Sequence, residues 1–143
     1  MVVRTAARAF SVLCLAVGAT GCVSGDPEVA TFEPTLENIQ AQVFAPACAT
    51  SGCHSASQRA GNIDLSSADA SYEALVGVPA TNSLAQENRW LRVKPGDPDL
   101  SFLCRKMDLP GMGEGAAMPP GDMAVDAEHV ALIEDWIANG AER

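Results

Sequence analysis

Two thiols and an imidazole fall within one short run, Cys48-Ala49-Thr50-Ser51-Gly52-Cys53-His54. Paired cysteines with a histidine directly after the second form the pattern that carries covalent haem c. Each thiol adds to one vinyl group at the porphyrin edge, and the imidazole of the following residue then reaches the iron from one face. The common form has two residues between the thiols; here there are four. The extra residues must bulge outward for the sulfurs to keep their separation, and Gly52 can supply the backbone freedom for that bulge. Three thioethers, Met112, Met118 and Met123, lie downstream among glycines and prolines. Thioether sulfur is a soft donor suited to such a metal.

Other chemistry is open to the same residues. Cys48 and Cys53 could close a local disulfide in an oxidising compartment. Cys48, Cys53, a histidine and Cys104 match zinc by ligand type. Against zinc, adjacent Cys53 and His54 point apart on most backbones and rarely serve one tetrahedral ion. Cys104 falls on an apolar stripe, where a thiol behaves as a small hydrophobe. His129 lies off the apolar face of the last expected helix and reads as solvated, with bis-histidine iron ligation as its alternative. Arg92 and Lys94 are suited either to a haem propionate or to ordinary solvated surface charge.

Short helices and long loops must position these groups. Thr35 caps a helix running to about Ala45, with Leu36, Ile39, Val43 and Phe44 on one face and Pro46 as its stop. Ser66 or Ser67 caps a second helix, with Tyr72, Leu75 and Val76 inward and Gly77 as its end. Asp97-Pro98 starts a third, whose shared face is Leu100, Leu103, Cys104 and Met107. Asp126 caps the last, with the stripe Val130, Ile133, Trp136 and Ile137 and a stop at Gly140. No strand alternation is evident. The expected fold class is all-α, small, with long loops over residues 47–65 and 109–125, where function is expected to sit.

The chain has 143 residues and a formal net charge of −9. The length allows one domain. The acidic balance argues against nucleic-acid binding, which needs clustered Lys and Arg. Aromatics make up only 5%, so a disulfide, metal or cofactor is expected to reinforce a thin core.

Residues 1–21 carry Arg4 and Arg8, then an apolar run, then small residues, the order of a secretory signal. The apolar run is too short for a permanent transmembrane helix. Ala19-Thr20-Gly21-Cys22 resembles the lipobox of bacterial lipoproteins, in which cleavage precedes the cysteine and its thiol takes a diacylglycerol. Cys22 is therefore the expected lipidation site, with residues 22–34 as a flexible tether and residues 35–143 as the folded domain. The expected location is the periplasmic side of a bacterial membrane, held by the acyl chains. Cleavage removes Arg4 and Arg8 but no acid, so the mature chain is the more acidic.

Residues 43–141 resemble the class I cytochrome c-like domain of bacterial extracytoplasmic and lipoprotein chains. The ordered pieces are Val43-Phe44-Ala45-Pro46-Ala47-Cys48, Cys53-His54, Gly61-Asn62-Ile63-Asp64-Leu65 and Tyr72-Glu73-Ala74-Leu75-Val76. Arg92-Val93-Lys94-Pro95-Gly96-Asp97-Pro98, Ser101-Phe102-Leu103, Met118-Pro119-Pro120 and Asp135-Trp136-Ile137-Ala138-Asn139-Gly140-Ala141 follow. The resemblance implies one covalent haem c, with Cys48 and Cys53 as the thioethers, His54 as proximal ligand and Met118 as distal ligand. It implies first and last helices packed together beside the haem. Both axial sites are then filled, so the implied activity is outer-sphere electron transfer with redox partner proteins rather than enzymic turnover. Many class I domains place a proline soon after the histidine, whose carbonyl receives the imidazole Nδ1–H. No proline lies between His54 and Val78 here, so the group that would orient the ring is not evident. A haem-free structural or interaction lipoprotein with a Cys48–Cys53 disulfide is the alternative. A haem peroxidase or an oxidase or dehydrogenase subunit is a third class, for which no second acid–base set is evident.

Overall fold

The computed structural model describes residues 32–108, 110–121 and 123–143. The expected signal peptide, Cys22 and residues 23–31 of the expected tether lie outside the described residues.

The described chain is helical, with no strand among the described residues, in agreement with the all-α expectation. Helix α1 (Leu36–Ile39) opens on Thr35, whose hydroxyl accepts from Asn38 N. It runs directly into a π-helical segment, Gln40–Cys48. Helices α2 (Ala68–Leu75), α3 (Ser83–Glu87), α4 (Phe102–Met107) and α5 (Ala127–Ala138) follow, with 3-10 turns at Ala60–Asn62 and Pro98–Leu100. The elements between α2 and α4 are joined by single bridges, Val76 to Val93, Pro79 to Leu91 and Leu91 to Ser101.

The first helix differs from expectation in its ending. Pro46 does not stop it; the chain passes through Pro46 to Cys48 in the wider π form. In an α-helix a proline removes the i→i−4 bond and crowds that carbonyl. The i→i−5 register sidesteps that carbonyl, and Ala49 N closes the segment onto Phe44 O at 2.7 Å. Such π segments are frequent at functional sites, and this one carries Cys48 as its last residue.

Other starts follow local capping. Ser67 accepts from Ala70 N, Asp97 from Leu100 N and Asp126 from His129 N. The Asp97-Pro98 start yields only a 3-10 turn, after which Ser101 turns extended before α4 begins. Leu100 is consequently 38% exposed rather than on the inward face. Helix α3, capped by Asn82, was not expected; it is a single short turn with one buried residue, Ala85, too brief to show a period.

One core joins the elements. Leu36, Ile39, Val43 and Phe44 meet Leu75, Val93, Cys104, Leu132, Ile133, Trp136 and Ile137. Helix α1 packs on α5 and α2, and α4 packs on α5. The first and last helices are thus neighbours, as the resemblance implied. On α5 the buried stripe includes Leu132, while Val130 is only half-buried. The last residues of the expected tether already engage the domain. Glu33 O accepts from Thr35 N and Asn38 Nδ2, and the Phe32 ring stacks on His129 with centroids 6.4 Å apart.

Candidate functional site

Cys48, Cys53 and His54 are brought together by a closed loop. His54 N donates to Cys48 O at 3.0 Å, and Cys53 N donates to Thr50 O at 3.0 Å. The four intervening residues bulge between these bonds. Gly52 takes φ +88°, in the region that only glycine enters without strain, and no atom lies near where its Cβ would be. Gly52 thus supplies the backbone freedom expected of it in the widened spacing.

Polar groups tie this loop to the helices behind it. Leu65 N donates to His54 O at 2.8 Å, and Gln40 Nε2 donates to Leu65 O at 2.8 Å. Gln40 Oε1 accepts from Ser71 Oγ at 2.7 Å, and Ser71 is fully buried on α2. A relay thus runs from the His54 carbonyl through the π segment to α2. Sequence reasoning missed both side chains. The available signal was their place on apolar faces: Gln40 is one turn beyond Leu36, and Ser71 one turn before Leu75.

Cys48, Cys53 and Cys104 are free thiols in the structure. Cys48 packs against the core. Burial, with the neighbouring Cys53 adding to it, pushes the Cys48 thiol up to about 11. Cys48 is therefore a neutral thiol at pH 7 and not an activated nucleophile. Cys104 is buried on α4, and burial pushes its thiol up to about 12, which fits the small-hydrophobe expectation. Among the described residues no three His, Cys, Asp or Glu side chains gather as a metal site.

His54 Nδ1 is buried and has no hydrogen-bond partner. No carbonyl takes the place of the missing proline carbonyl. A buried polar nitrogen left unpaired typically costs about 1–3 kcal/mol. By donor type, two unpaired thiols followed directly by an imidazole are the groups that haem c would use. A histidine that ligates a metal gives its other ring N–H to an acceptor, and for His54 Nδ1 that acceptor is missing here.

Met118 stands on a second segment, held against α4. Its N donates to Lys106 O at 2.6 Å. It is 40% exposed, against 67% for Met123 and 99% for Met112. Of these three it is the residue most sheltered by protein. Met123 and His129 border a hollow of about 230 Å³ beside Pro46 and Ala47, just ahead of Cys48. His129 Nδ1 is bonded to Asp126 Oδ2 at 2.7 Å, so this ring nitrogen is already engaged. The ring is only a quarter exposed, less than expected of a solvated histidine, because Phe32 covers it.

Arg92 is not the solvated surface charge considered for it. It is buried, 8% exposed, and its guanidinium donates to Ala74 O at 2.7 Å and Gly61 O at 3.2 Å. It joins the turn after the thiol loop to α2, and burial lowers its affinity for a proton. Lys94 pairs with Asp97 Oδ2 at 2.8 Å on the surface.

No family model, curated protein or solved structure matches the chain.

Proposed function

We propose that the chain is a c-type cytochrome, tethered by lipid at Cys22 to the periplasmic side of a bacterial membrane, that passes electrons between partner proteins. The domain is taken as cytochrome c-like, with Cys48 and Cys53 forming the thioethers and His54 and Met118 the two axial ligands. One observation carries this reading: the closed loop of residues 48–54 holds two unpaired thiols with an imidazole directly after the second. Haem c held there would supply a reversible one-electron iron couple. The loop bonds from His54 N to Cys48 O and from Leu65 N to His54 O fix the backbone that orients the imidazole. The Met118 thioether is a soft, weak donor that favours ferrous iron, which raises the potential relative to a second imidazole. With His54 and Met118 both given to the iron, no position would be open to oxygen or peroxide, which favours electron transfer over enzymic turnover.

The test is expression in a host with cytochrome maturation machinery, followed by visible spectra of both redox states and addition of cyanide to the ferric protein. The expected result is a red, reversibly reducible protein that binds cyanide only slowly and turns over peroxide poorly. Rapid cyanide binding with peroxide turnover would favour the enzyme class. A colourless protein under those conditions would reject the proposal.

A further inference from the structure

The segment that bears Met118 is fastened by a device that none of its sequence motifs announces. Glu114 is 3% exposed although it sits in a glycine-rich loop. Its Oε1 accepts from Arg105 Nε at 2.8 Å and from Arg105 Nη2, while Oε2 accepts from Gly111 N at 2.8 Å. The guanidinium is itself braced, lying 4.2 Å over the Trp90 ring, which stacks on Phe102 of α4. Next along α4, Lys106 Nζ donates to Glu114 O at 3.1 Å and to Ala116 O. Met118 N donates back to Lys106 O. From the other side Asn82 Nδ2 donates to Gly113 O at 3.1 Å.

The glycines make this wrapping possible. Gly113 and Gly115 take φ +90° and +82°, and a Cβ would stand 3.3 Å from Leu84 Cδ2 and 3.4 Å from Lys106 Nζ respectively. Two consecutive residues of α4, one through a forked carboxylate pair and one through carbonyls, therefore hold residues 111–118 in a single course. A loop whose only task was to connect α4 to α5 would not need to bury the Glu114 carboxylate against the half-exposed Arg105, since burying a carboxylate is costly unless it is fully bonded. The fastened stretch ends at Met118.

We propose that the Arg105–Glu114 pair, with Lys106, is a positioning clamp that holds Met118 where its sulfur serves as the second axial ligand of the haem iron. The inference rests on the haem reading of the 48–54 loop. Glu114 and Arg105 do not touch the iron; they act through the backbone that carries Met118. Charged groups facing the Glu114 carboxylate are Arg105 and Lys106, both from α4.

The test compares Glu114→Gln with the unmodified full-length chain, both matured with haem. The substitution keeps the size of the side chain and loses the charge-assisted fork. The clamp predicts covalent haem and helix content as in the parent, together with a weakened iron–thioether charge-transfer band, a lower reduction potential and faster cyanide binding. Arg105→Lys, which cannot fork, gives the same direction. A variant with an unchanged band, potential and cyanide rate overturns the clamp. Amide hydrogen exchange supplies a second readout that needs no haem. In Glu114→Gln the Met118 amide exchanges about tenfold faster or more, while amides of α5 are unaffected; equal protection at Met118 overturns the clamp. If the unmodified chain carries no haem at all, the electron-transfer proposal fails while the exchange comparison still decides whether the clamp exists.

Discussion

His54 and Met118 come from segments held in different ways, and substitution separates their roles. His54 is set by a short closed loop whose backbone bonds begin at Cys48 and end at Leu65. Met118 is the most sheltered of the loop methionines Met112, Met118 and Met123, and its own amide is bonded to α4. Met118→Ala is expected to keep covalent haem, lose the iron–thioether charge-transfer band and gain rapid cyanide binding. A spectrum identical to the parent would move the distal ligand to Met112, Met123 or His129. Thiol reactivity gives a second check on haem-free chain. With Cys48 raised from 9.0 to about 11, its thiolate fraction near neutral pH falls roughly a hundredfold. Alkylation of Cys48 in the native haem-free chain is therefore expected to be about that much slower than in denaturant. Equal rates would show that the loop does not bury the thiol.

Helices α1 and α5 form the frame behind the site, joined in a core whose largest buried side chains are Trp136 and Phe44. Trp136 is 2% exposed, and its indole N–H donates to Glu142 O at 2.8 Å. Trp136→Ala should destabilise the fold by about 3–5 kcal/mol, read as a shifted denaturant midpoint. A loss under ~1 kcal/mol would mean that α5 is not packed as described. The Met118 segment has a pH signature. The Arg105 guanidinium holds the Glu114 carboxyl below its usual value of 4.5. A depressed carboxyl contributes stability that is complete above its unfolded value and is lost as pH falls through the folded one. Asp64, Asp97 and Asp126 are shifted in the same direction by their hydrogen bonds. The thioether band should thus hold from about pH 7 down to about 5 and fade only below the ordinary carboxylate range. Fading that begins above about pH 6 would place the loss outside carboxylate titration and remove Glu114 as its cause.

Across the whole molecule, what could be foreseen divides by the range of the forces involved. Thr35, Ser67, Asp97 and Asp126 were legible as caps because each bonds an amide three residues ahead. The thiol loop was legible because its chemistry is contiguous in sequence. The π register through Pro46, the burial of Arg92 and the Glu114 clamp were not, since each depends on partners or packing beyond the local pattern. Arg92 meets Gly61 across 31 residues, and no local pattern marks such a pair. The formal charge of −9 bears on solubility and association more than on the fold. Among the described residues no helix is long and apolar enough to cross a membrane. Under the proposed tether, Cys22→Ser should move the protein from the membrane fraction to the soluble one. Persistent membrane association of that variant would rule out lipid at Cys22 as the anchor.

The proposed electron-transfer role requires that the thiols at 48 and 53 be bonded to one porphyrin. Intact mass of the mature chain from a haem-competent host, read together with its pyridine haemochrome spectrum, decides this. Covalent attachment predicts the polypeptide plus one haem that survives denaturation, with a haemochrome of the kind given by two thioether links. A haem-free mass lower by two hydrogens, with Cys48 joined to Cys53, would be incompatible with it.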